Sequence, residues 1–152
     1  MRSRHLRGAC PYPELIMQNE QSLAGYRILV VEDEYFIARE LKDLLQTQGA
    51  EVVGPLGNLD QAMKQVERDG FEVAVLDINL QGVEGYPIAD ELKRQGVPFV
   101  FASAYSEDRI PIRFADVHLW EKPYSERALI EDIRRLCEGQ RLGHQTISSA
   151  AL

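Results

Sequence analysis

Apolar residues along this chain fall into short unbroken runs that alternate with stretches of helical spacing. Residues 27–31 form the first run, and residues 35–48 follow with Ile37, Leu41, Leu44 and Leu45 on one face, ended by Gly49. Residues 51–53 make a short second run closed by Gly54-Pro55. Asn58, with Gln61 three positions on, has the pattern of a capping box. The helix it opens carries Leu59, Ala62, Met63 and Val66 and stops at Gly70. The third run spans 72–76. Pro87 suits the first turn of a helix that carries Ile88, Ala89 and Leu92 and ends at Gly96. Residues 97–102 and 117–120 are the fourth and fifth runs. The intervening 106–116 contains Pro111 and lacks a helical period, which predicts a short or irregular fourth helix. A last helix begins near Ser125 and carries Leu129, Ile133, Leu136 and Cys137.

Near-continuous Val, Ile and Leu runs between amphipathic helices predict a parallel sheet covered on both faces, an α/β doubly wound fold. Ligands of such sheets bind beyond the carboxyl ends of the strands, where strand order reverses. Residues 1–25, with Pro11 and Pro13 and no periodicity, are expected to form a loosely ordered arm, with Met17 as an alternative start of translation. Residues 140–152 follow Gly139 and are expected to form a flexible tail, leaving 26–139 as the folded domain.

Composition narrows the function classes. At 152 residues the chain is expected to hold one domain with a proper core and to be too short for two ordinary ones. Its net charge of -7 argues against nonspecific nucleic-acid binding. No stretch approaches the ~20 apolar residues of a membrane span. Arg2, Arg4 and Arg7 are not followed by a hydrophobic region, so no secretory signal is read there. Cys10 and Cys137 match no zinc or redox spacing, which fits reduced thiols in a cytoplasmic protein.

The candidate chemistry sits at the ends of the apolar runs. Glu32-Asp33 follows the first, Asp77 the third, and Lys122-Pro123 the fifth. Gathering carboxylates at strand ends is unfavourable unless a cation or phosphoryl group uses them. Each residue also has a plainer reading. Glu32 and Asp33 suit a helix N-terminus, Ser103 a turn, and Trp120 core or edge packing. His5, His118 and His144 are isolated, and His118 reads as a partly buried structural residue.

Four motifs at ordered spacings, V-V-E-D-E, L-D-I-N-L, F-A-S-A-Y and E-K-P-Y, make residues 26–139 similar to a response-regulator receiver domain of the CheY-like kind. The resemblance implies a flavodoxin-like (βα)5 fold with strand order 2-1-3-4-5. It implies that Asp77 is the phosphoacceptor and a metal ligand, that Asp33 binds Mg2+ directly, and that Glu32 binds it through water. It further assigns the Asn79 backbone carbonyl as a metal ligand, Ser103 and Lys122 as contacts to phosphoryl oxygens, and a cis Lys122-Pro123 bond. Ala104 would leave space for the phosphoryl group. These residue types suit the chemistry, because a carboxylate attacking a phosphoryl group needs positive charge to screen the like charges. Mg2+ prefers hard oxygen ligands.

Two positions depart from the family. Leu119 stands where receivers commonly carry the aromatic switch residue, so Tyr105 and Trp120 become the candidate substitutes. Gln81 replaces a proline often found after D-x-N-L, a change expected to alter the loop only slightly. These features resemble alphaproteobacterial single-domain receivers with F-A-T-G-Y-like motifs. That resemblance implies a stand-alone response regulator, phosphorylated by a sensor histidine kinase (of the HWE type among others) or a phosphotransfer protein. It would signal to an unidentified protein partner or act as a phosphate sink, as a monomer or weak homodimer without nucleic-acid or membrane partners. It would catalyse only its own phosphorylation and dephosphorylation. Two other classes compete. A phosphorylation-independent pseudo-receiver would lack an acid or the lysine, and a haloacid-dehalogenase-type Mg2+ hydrolase would carry an acid where this chain has Asn79.

Overall fold

Five strands form one parallel sheet: β1 (Arg27–Val31), β2 (Glu51–Leu56), β3 (Val73–Leu76), β6 (Phe99–Ser103) and β7 (Leu119–Glu121). Between β3 and β6 in the chain, β4 (Asn79–Leu80) and β5 (Val83–Glu84) form a separate small antiparallel hairpin. The spatial order of the main sheet is β2-β1-β3-β6-β7, which is 2-1-3-4-5 when its five strands alone are counted. The computed structural model describes residues 22–150, with side chains to residue 140. Helices α1 (Tyr35–Thr47), α2 (Leu59–Arg68), α3 (Tyr86–Gln95) and α4 (Glu126–Ala150) connect or follow the strands. Among the described residues no helix is long and apolar enough to cross a membrane.

Apart from Arg27 at the start of β1, the residues of β1, β3 and β6 are all buried, because side chains on successive residues enter opposite layers that are both covered. Leu29, Val31, Ala74, Leu76, Phe99 and Phe101 pack with Val66 of α2, Leu92 of α3 and Phe114. Ile28, Val30, Val73, Val75, Val100 and Ala102 pack with Leu41 and Leu45 of α1 and Leu129 and Ile133 of α4. Both faces are apolar, which is why the strands read as continuous rather than alternating runs.

The helix boundaries follow local chemistry. The Asn58 side chain accepts the Gln61 N–H at 2.9 Å and caps α2. Pro87 lies in the first turn of α3, and Gly96 closes that helix in the left-handed conformation.

Several expectations are corrected. The second strand does not stop at Gly54-Pro55 but continues through it to Leu56. Gly54 has φ +96, the Gly54-Pro55 bond is cis, and the register against β1 shifts between Leu29 and Val31. A proline is tolerated there because β2 is an edge strand and the pairing is irregular. Residues 22–25 belong to the fold rather than to a loose arm: Leu23 is fully buried, and its N–H donates to the Gln48 carbonyl at 2.8 Å. The arm's remaining residues, 1–21, lie outside the described residues. At the other end, α4 continues to Ala150, where the composition suggests a tail from residue 140. Gly139 lowers helix propensity by about 1 kcal/mol but no proline follows to end the helix. The 106–116 segment is irregular, as its pattern predicts, with 3-10 turns at Glu107–Arg109 and Ile112–Phe114. The β4–β5 hairpin is an element that the apolar runs do not predict.

Candidate functional site

The parallel register places the carboxyl ends of β1, β3, β6 and β7 along one edge of the sheet, and the candidate residues leave from there. Glu32 and Asp33 follow β1, Asp77 follows β3, Ser103 ends β6 and Lys122 follows β7. Backbone bonds hold these ends together. Asp77 N–H donates to the Val31 carbonyl at 2.8 Å, Lys122 N–H to the Ser103 carbonyl at 2.9 Å, and Glu32 N–H to the Leu56 carbonyl at 2.9 Å. Strand pairing therefore brings together residues 90 positions apart in sequence.

One carboxylate oxygen from each of Glu32, Asp33 and Asp77 lies within 4.8 Å of the others. Ser103 Oγ donates to Asp77 Oδ1 at 2.9 Å, and Lys122 Nζ donates to Asp77 Oδ2 at 3.0 Å and to Glu32 Oε2 at 2.7 Å. Three carboxylates thus face one ammonium group. Glu32 and Asp77 are almost fully buried and Asp33 is half-buried, so the uncompensated negative charge opens to solvent on the Asp33 side. Burial is the main influence on Glu32. It pushes the carboxyl up to about 7, against the opposing hydrogen bonds from Lys122 and the Glu34 N–H. For Lys122, desolvation opposes the charge, but the hydrogen bonds to Glu32 and Asp77 outweigh it and hold the ammonium above its usual range.

Backbone donors complete the cluster. Glu34 N–H donates to Glu32 Oε1 at 3.0 Å, Asn79 N–H to Asp77 Oδ1 at 3.2 Å, and Gln81 N–H to Asp33 Oδ2 at 2.9 Å. The Gln81 contact is one that sequence reasoning misses. Gln81 and Gly82 turn the β4–β5 hairpin with φ of 55 and 83, and Asn79 Oδ1 accepts the Gly82 N–H at 2.9 Å. The Gln-Gly pair between apolar Leu80 and Val83 is the available signal for this turn. Its effect is larger than a slight change of loop. Proline cannot adopt a positive φ and has no N–H to give Asp33. Gly85 is also fixed by the site: a Cβ there would lie 3.0 Å from the Asp77 carbonyl oxygen.

The three candidate switch residues are placed differently. Tyr105 N–H lies 3.4 Å from Ser103 Oγ, and the Tyr105 ring carries the Arg109 guanidinium 4.8 Å from its centroid. Leu119 and Trp120 of β7 pair with Phe101 and Ala102 of β6, and Trp120 turns away from the acids to donate from Nε1 to Asp132 Oδ2 at 2.8 Å. His118 Nδ1 reaches the same oxygen at 2.7 Å. The His118 side chain is 56% exposed, so it is a surface residue and not a partly buried one. Ala104 is exposed beside Ser103, and the Lys122-Pro123 bond is cis.

The donor set fits a hard divalent cation: three carboxylates and no histidine or cysteine in the cluster, with a negative excess toward solvent.

Residues 28–134 match the response regulator receiver domain family. The sensory transduction protein LytT of Bacillus anthracis is 30% identical over 115 residues, covering 72% of this chain and 46% of LytT. The chain spans about half the length of the curated relatives it matches. SdrG from Sphingomonas melonis Fr1 is similar in structure, with TM-score 0.65 and 34% identity, covering 76% of this chain and 97% of SdrG. TrrA from Thermotoga maritima, solved in complex with Mg2+ and BeF, is 29% identical with TM-score 0.64, covering 73% of this chain and 98% of TrrA.

Proposed function

Since this chain belongs to the response regulator receiver domain family of two-component systems, we propose that Asp77 accepts a phosphoryl group from a phosphohistidine donor, with Mg2+ held by the acidic cluster. The observation that carries this reading is the pair of contacts on the Asp77 carboxylate, one oxygen to Ser103 and the other to Lys122, beside two further acids. Asp33, Asp77, Glu32 and the Asn79 carbonyl would hold the metal, Glu32 through water. When bound, the metal supplies positive charge to the oxygens of the transferring group.

The chain's own residues do the rest. An Asp77 carboxylate oxygen attacks phosphorus, and the bond to the donor imidazole nitrogen breaks, its electron pair leaving with the imidazole. Lys122, kept charged by Glu32, balances the negative oxygens that remain. Ser103 is within reach to turn its hydroxyl from Asp77 to a phosphoryl oxygen, and Tyr105 is linked to that hydroxyl by its N–H. Exposed Ala104 leaves the approach open.

In this reading the donor is a sensor histidine kinase, with the HWE type as the candidate class, or a phosphotransfer protein. The protein works in the cytoplasm and signals by protein contact through the 106–116 segment, β7 and α4, or drains phosphate as a sink. Incubation with Mg2+ and acetyl phosphate should label the protein with phosphate that hydroxylamine removes. Asp77→Asn should lose at least nine-tenths of that label, and equal labelling of the variant would sink the assignment.

A further inference from the structure

We infer that the surface around Ile112 and Leu119 binds a basic amphipathic helix of a partner protein, an apolar side chain entering a hollow left by the irregular 106–116 segment and lysines or arginines meeting its acidic rim. The partner chemistry rests on the signalling role proposed for this face.

The hollow has a physical origin. Two three-residue 3-10 turns stand where a regular helix would cover the edge of the sheet beside β7. They leave a cavity of about 710 Å3 bordered by Ile110, Ile112, Val117 and Leu119. Leu119 matters here because an aliphatic side chain, unlike an aromatic ring, leaves the floor of this space open. Ile112 is 91% exposed, the largest value among the exposed large apolar side chains. An isoleucine in that position has no neighbours to bury it within the described residues, and a partner that covered it would remove its apolar surface from water.

Charge selects the partner. Glu107, Asp108, Asp116 and Glu121 also line the cavity, while no lysine or arginine among the described residues does. Asp116 is neutralised by Lys93 at 2.8 Å, and Asp108 accepts from the Ser106 hydroxyl. Glu107 and Glu121 have no side-chain partner among the described residues. Two unpaired carboxylates flanking an apolar hollow complement a helix with an aliphatic stripe and flanking cations. The same charges disfavour nucleic acid and anionic lipid.

The test uses the full chain, 15N-labelled, and two synthetic helical peptides of Leu with Lys or Leu with Glu at amphipathic spacing. The lysine peptide should shift the amide resonances of Ile110, Ile112, Val117 and Leu119, and the glutamate peptide should bind at least tenfold more weakly. Glu107→Lys with Glu121→Lys should weaken the lysine peptide about tenfold, and Ile112→Ser several-fold. Asp60→Lys with Glu67→Lys, an equal charge reversal on α2, should change it less than twofold. Shifts spread over α1 and α2, equal loss with the control pair, or equal binding of both peptides would each overturn the inference. Hydroxylamine-labile labelling is read separately on the same variants. In the wild-type chain, failure to bind the lysine peptide with intact labelling removes only this inference, and peptide binding without labelling removes only the phosphoacceptor reading.

Discussion

Gln81 shows how one backbone amide can matter more than its side chain. With φ +55 it occupies a conformation closed to proline, and its N–H holds Asp33 Oδ2 at 2.9 Å. Hydrogen bonds to charged groups contribute about 1.5–3 kcal/mol. Gln81→Pro is therefore expected to weaken Mg2+ binding by about tenfold or more, measured by titration calorimetry. Gln81→Gly, which keeps the N–H and accepts positive φ, should bind within about threefold of the wild type. Equal affinities for all three proteins would show that the bond does not position Asp33. The acids themselves are legible in the sequence, because carboxylates at the ends of apolar runs demand a reason. Gln81 is not, because any residue but proline offers the same N–H and only the turn decides where it points.

At the scale of elements, two substitutions separate a local signal from a tertiary one. Asn58→Ala removes the side chain that caps α2 and should lower unfolding free energy by about 1 kcal/mol in urea titrations. Gly54→Ala should be more damaging, by upwards of about 2 kcal/mol. Its backbone is at φ +96, and an added Cβ would meet the Val30 carbonyl oxygen at 2.8 Å. If Gly54→Ala proves the milder change, the shifted β1–β2 register does not constrain that glycine. The cap follows from Asn58 and Gln61 alone. The course of β2 does not, since Gly54-Pro55 marks a turn by local preference and becomes part of a strand only because β1 offers it a partner. Leu23 makes the same point: set between Ser22 and Ala24, it gives no periodic signal, yet it is fully buried in the core cluster that holds Tyr26 and Leu45. The irregular 106–116 segment is visible in Pro111 and the missing period, but the hollow it leaves depends on the position of β7.

At the scale of the whole molecule, a chain of net charge -7 gathers three carboxylates at one edge against a single lysine. That arrangement should make stability depend on a divalent cation. Mg2+ at a hundred times its dissociation constant should raise unfolding free energy by about 2.7 kcal/mol, from binding to the native state alone. Thermal or urea unfolding with and without Mg2+ reads this directly, and Asp33→Asn should remove most of the gain. An unchanged midpoint in the wild type would argue against metal binding by the cluster. Pattern alone determined the layered α/β fold, since alternating apolar runs and amphipathic stretches have few ways to bury both faces of a sheet. Residue type at the strand ends determined the candidate acids, serine and lysine. Tertiary structure decided what those residues do to one another. It set Lys122 between Glu32 and Asp77, gave Asp33 its backbone donor, turned Trp120 toward Asp132, and left Ile112 without cover. These outcomes depend on strand register and on turns with positive φ, through distances between residues far apart in the chain, and no local preference encodes such distances.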